Sequence, residues 1–75
     1  MDSADKIFLQ SIGKNISKIR RQKKMTQIDV CAIIDMDVPN LSSIENGRQN
    51  VTSLTLKKIA GALDVAVVDF FQNSK

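Results

Sequence analysis

Two short apolar-patterned segments meet at a turn between Gln27 and Asn46, and they constrain the fold more than any other stretch. Positions that must be apolar or small for two helices to cross are so: Val30, Ile34, Met36, Leu41 and Ile44 are apolar, and Cys31 is small. The first segment, Gln27 to Ile34, repeats Val30, Cys31 and Ile34 at helical spacing, with Thr26 placed to cap it. In the second, Val38 to Asn46, Asp37 is the expected cap and Pro39 sits in the first turn, where a missing N–H costs little. Gly47 supplies the stop.

Helices of this length joined by a turn of about 3–4 residues form a helix-turn-helix, whose second helix fits the DNA major groove. The 75 residues make one domain, 1–75, near the size at which a single core is only marginally stable. With 43% hydrophobic and 25% charged residues the chain folds rather than stays disordered. Its three Phe, and no Trp or Tyr, leave the core to Ile, Leu, Val and Met. The lone Cys31 reads as packing at the helix crossing, and without His no zinc set exists. No metal or cofactor is therefore expected, nor a small-molecule ligand. Neither a leader nor a membrane span is read from the sequence, so a reducing, cytoplasmic setting is expected.

The net charge of +3 is unevenly spread. Lys14, Lys18, Arg20, Arg21, Lys23 and Lys24 crowd one segment, with no acid between Lys6 and Asp29. Alone, that run is a solvated helix face; beside a helix-turn-helix it becomes an electrostatic footprint for phosphate.

Along the chain, a first helix is expected from Ser3 or Ala4 to about Lys23, with Phe8, Ile12, Ile16 and Ile19 as its core stripe. Gly13 leaves room within it for a close helix contact. The fourth helix starts after Thr52 or Ser53 and ends at Leu63, buries Leu56, Ile59, Ala60 and Leu63, and stops at Asp64. A last short helix spans Val67 to Phe71. The expected fold is all-α, a compact five-helix domain. Its nearly all-apolar tail, within 64–75, either closes the core or is left exposed as a dimer patch.

The run from Ile12 to Phe71 resembles the lambda-repressor/Cro-type (XRE) family of DNA-binding domains. Met25-Thr26-Gln27, Ile44-Glu45-Asn46-Gly47 and Lys58-Ile59-Ala60 through Leu63 followed by Val65 carry the likeness. The resemblance implies that Gln27, Asn46 and Arg48 contact DNA phosphates, and that Gln27 also braces the recognition helix. It implies an Arg20–Glu45 salt bridge tying the first helix to the third. Base-reading positions correspond to Val38, Pro39 and Ser43, with Asn40 near a phosphate or base edge and Ser42 on the same face. Asp35 and Lys24 stand where this family often has Gly, and Ala66 where it often has a Ser or Thr cap.

The reading surface is poor in donors: Val38 and Pro39 suit thymine methyls, Asn40 suits adenine, and shape readout supplements both. One recognition helix covers few base pairs, so two copies on half-sites about one DNA turn apart are expected. Leu54, Leu56, Val67, Val68, Phe70 and Phe71 are the expected homodimer interface. The combined expectation is a DNA-binding transcription regulator on a two-fold operator, autoregulatory, in a compact format that resembles restriction–modification controller proteins and small phage or plasmid repressors. An antitoxin or a protein-interaction module of the same fold is the alternative. An enzyme is not expected, since Ser42-Ser43 has no accompanying base and no phosphate loop is present.

Overall fold

Asp2 opens the first helix in the computed structural model, which describes residues 2–72. Its carboxylate accepts the otherwise unpaired N–H of Asp5 at 2.9 Å. Helix α1 then runs from Ser3 to Gln22, and Lys24 ends it by turning the chain at φ 58°. There Met25 N–H donates to Arg20 O.

Three shorter helices follow. Helix α2, Gln27–Ile34, begins with a reciprocal cap: Thr26 Oγ1 accepts Asp29 N–H at 3.0 Å, and the Asp29 carboxylate accepts Thr26 N–H at 2.8 Å. It ends at Asp35, in the left-handed conformation at φ 55°. Helix α3, Val38–Glu45, carries Pro39 in its first turn and stops at Gly47, φ 67°. Asp37 holds the cap position, but its side chain makes no capping hydrogen bond, contrary to expectation. Its carbonyl instead accepts the N–H groups of Asn40 and Leu41. Helix α4, Ser53–Leu63, is capped by Thr52 Oγ1 and ended by Asp64 at φ 57°.

The fifth element, Val67–Phe71, is a 3₁₀ helix rather than an α-helix. The described fold is therefore four α-helices and a 3₁₀ turn. Ala66 offers no side-chain cap, and the Asp69 carboxylate accepts the Ala66 N–H at 3.1 Å from within the turn.

Ile16, Val30, Leu41, Ile59, Leu63 and Phe70 are the largest fully buried side chains, one or more from every element. Helix α1 packs on α3 and on the 3₁₀ helix, while α2 packs on α3 and α4. At the α1–α3 crossing a Cβ on Gly13 would fall on the carbonyl oxygens of Ile44 and Glu45, so the residue must lack one. This crossing also corrects the expected stripe. It turns the buried face of α1 toward Leu9, Gly13 and Arg20, and leaves Phe8 at the far edge, 56% exposed. Phe8 there meets Phe71, with ring centroids 6.2 Å apart.

Candidate nucleic-acid interface

Helix α3 is too short to hold its own direction, and two side chains from other helices fix it through its own Glu45. Glu45, in its last turn, receives a forked pair from Arg20: Nε to Oε2 at 2.8 Å and Nη2 to Oε1 at 3.1 Å. The third guanidinium nitrogen, Nη1, donates to Met25 O at 2.9 Å and so ties down the α1–α2 connection. Gln27, opening α2, donates Nε2 to Glu45 Oε1 at 3.0 Å. The Arg20 and Glu45 side chains are nearly buried, so little water competes for these bonds. Donation to the Glu45 carboxylate raises the Arg20 guanidinium above its ordinary pKa, against the opposing effect of burial, with the charge of Glu45 adding to the rise. One carboxylate thereby pins α3 to both α1 and α2.

With Leu41 and Ile44 buried, α3 turns Pro39 and Asn40 to the outside, with Val38, Ser42 and Ser43 half-buried beside them. Asn40 is engaged: its Oδ1 accepts from Gln49 Nε2. That bond orients the Asn40 amide and joins the loop after α3 to the helix face. Asn46 Nδ2 donates to Ser42 O at 2.8 Å, and Arg48 is exposed just beyond.

Two hollows flank this face. Arg21, Thr26, Gln27 and Val38 surround one, at the entry to α2 and α3. Lys14, Ser17, Lys18, Arg21 and Glu45 surround the other, so the cations of α1 lie alongside the end of α3. Arg21 and Gln49 were not singled out as site residues from sequence. The signal for Arg21 was its place in the basic run; Gln49 sits in a polar loop and carried none.

The surface expected to join two copies divides. Leu54 and Val68 are 63% and 60% exposed and Phe71 is 45% exposed, while Val67 is half-buried. Leu56 and Phe70 are core residues, which corrects their expected place at an interface. Leu56 lies on the α4 face that also buries Ile59, Ala60 and Leu63, and Phe70 closes the core from the 3₁₀ helix. The tail expected over 64–75 extends, in residues 73–75, outside the described residues. No helix among the described residues is long and apolar enough to cross a membrane.

Comparison with known proteins places the fold. Residues 16–70 match the family described as Helix-turn-helix. An uncharacterized HTH-type transcriptional regulator of Sinorhizobium fredii is 41% identical over 58 residues, covering 77% of this chain and 75% of the relative. Control protein C.MunI of a Mycoplasma species is 36% identical over 62 residues, covering 81% and 84%. The restriction-modification controller protein C.Esp1396I, crystallised as a tetramer with its natural 35 base-pair operator, superposes with a TM-score of 0.77. It is 36% identical, with 85% of this chain and 84% of that one covered.

Proposed function

The chain belongs to the helix-turn-helix family, and on that premise we propose that it is a transcription regulator that binds a two-fold DNA site as a homodimer. The observation that carries this reading is the clamp of Arg20 and Gln27 on Glu45, which fixes α3 while leaving its outer face open. A helix held at one end and free on one side is what insertion into the major groove requires. The likeness to a controller protein crystallised on operator DNA supports the same reading.

In this reading α3 lies in the groove with Val38, Pro39, Asn40, Ser42 and Ser43 toward the base edges. Val38 and Pro39 meet thymine methyl groups, and Asn40, oriented by Gln49, presents its amide to adenine. Gln27 at the start of α2, and Asn46 and Arg48 after α3, grip the phosphates on either side. Lys14, Lys18 and Arg21 extend the positive field along α1. The copies meet through Leu54, Val67, Val68 and Phe71, which gives two reading helices related by a two-fold axis. The regulator acts by occupying its site, its own promoter included.

Selection of bound sequences from a random duplex pool tests the whole proposal. The expected outcome is a motif with two inverted half-sites about one helical turn apart, present upstream of the protein's own gene. No enrichment over the starting pool would refute DNA reading. A single unrepeated half-site would refute the dimer, and absence of the motif upstream of the gene would refute autoregulation.

A further inference from the structure

The last turn is held by a residue far away in sequence that no part of the DNA-reading surface uses. Asn15, on α1, donates both hydrogens of its side-chain amide, at 2.9 Å to Phe70 O and at 2.9 Å to Gln72 O. A 3₁₀ helix of five residues has poor internal hydrogen-bond geometry, so its direction depends on what holds it from outside. Apolar packing does part of this, with Phe70 fully buried, Val67 against the core and Phe71 against Phe8, and the Asn15 amide holds the carbonyls around Phe70. Apolar side chains can slide and re-pack; the two carbonyl bonds are the directional restraint on rotation about Phe70. That rotation decides which way Val68 and Phe71 face, and Phe71 in turn lies against Phe8 of α1.

We infer that Asn15 is a positioning residue for self-association, setting the 3₁₀ helix so that Val68 and Phe71 face the second copy. The inference rests on the homodimer reading above. Its chemistry is specific. Two backbone carbonyls converge on one group that must donate twice, which an amide nitrogen does and a carboxylate cannot. Asn15→Asp keeps the shape, removes both donors and aims a negative charge at two carbonyl oxygens.

The test uses the full chain and three measurements: sedimentation equilibrium, affinity for the selected two-fold duplex, and affinity for a duplex carrying one half-site. Asn15→Asp is expected to raise the dimer dissociation constant about tenfold or more and to weaken two-fold binding, because two hydrogen bonds and their geometry are lost. Half-site affinity stays at the wild-type value, since Asn15 is outside the Arg20–Glu45–Gln27 clamp. A general loss of stability would lower both affinities together, and that result overturns the inference. Asn15→Ala, which removes the donors without adding charge, is expected to act in the same direction more weakly. Val68→Glu, which disrupts the exposed face directly, separates the two levels of argument. If Val68→Glu gives monomers while Asn15→Asp and Asn15→Ala remain as dimeric as wild type, the positioning role is wrong and the dimer reading stands. A wild-type chain that sediments as a monomer overturns both.

Discussion

Glu45 joins α1, α2 and α3 through a single carboxylate. It accepts three hydrogen bonds from two residues on two helices, and Arg20, its main partner, is itself only 8% exposed. Removing the carboxylate leaves a largely buried guanidinium with two unpaired nitrogens, which costs far more than the net worth of a surface pair. Glu45→Ala is therefore expected to lower unfolding stability by roughly 2–4 kcal/mol in a urea titration. Glu45→Gln, which keeps one acceptor oxygen, falls between it and wild type. Equal midpoints for the two variants would show that the charge, not the hydrogen bonds, matters. Cys31 shows the opposite case of a polar group that burial keeps neutral. Desolvation, then the charges of Glu45 and Asp37, raise its thiol above the ordinary 9.0. The unfolded thiol ionises first as pH rises, so its contribution is complete below that ordinary value and is lost as pH climbs through the raised folded one. Stability is expected to fall above pH 9.0 in wild type and to fall less in Cys31→Ala, as followed by urea midpoints across an alkaline series.

At the scale of elements, the two cap positions of the helix-turn-helix look alike in sequence and differ in the fold. Thr26 and Asp29 complete a reciprocal cap on α2, whereas the Asp37 side chain caps nothing on α3. Thr26→Ala is expected to cost about 1 kcal/mol, and Asp37→Ala less than about 0.5 kcal/mol, in parallel thermal melts. A loss at Asp37 as large as that at Thr26 would mean that its carboxylate does cap α3 in solution. The same contrast explains what could be read from the chain. Helix positions and stops follow local rules, so Thr52, Asp64 and Gly47 act near where the sequence puts them. Which side of a helix is buried is set by its neighbours. Phe8, Ile12 and Ile16 make as good a stripe as Leu9, Ile12 and Ile16, and only the crossing of α3 at Gly13 decides between them. Leu56 and Phe70 are ambiguous for the same reason: an apolar helix residue reads equally as core or as interface until its neighbours are known. The Arg20–Glu45 pair lies 25 positions apart and was expected from family resemblance, since no local periodicity announces it. The Asn15 bonds to Phe70 and Gln72 span 55 and 57 positions, and nothing in the sequence pointed to them.

For the whole molecule, the balance between charge and reading surface decides how it holds DNA. The α3 face presents Val38, Pro39, Asn40, Ser42 and Ser43, none of them a bidentate partner for guanine, while cations crowd α1 and Arg48 stands exposed after α3. Most of the affinity is then expected to come from phosphate neutralisation, which releases counterions and falls steeply with salt. Each phosphate contact contributes about 0.9 to the slope of log affinity against log salt, and a homodimer carries every contact twice. Arg48→Ala is accordingly expected to weaken selected and unrelated sequences alike and to flatten the slope for the two-fold site by about two units. On a half-site bound by one copy the same substitution flattens it by about one. Fluorescence anisotropy across a salt series measures both slopes. An unchanged slope would remove Arg48 from the phosphate contacts, and a change of about one on both duplexes would mean that only one protomer uses it. Because the two slopes differ only through the number of copies bound, their ratio reports the stoichiometry of the complex independently of its sequence preference.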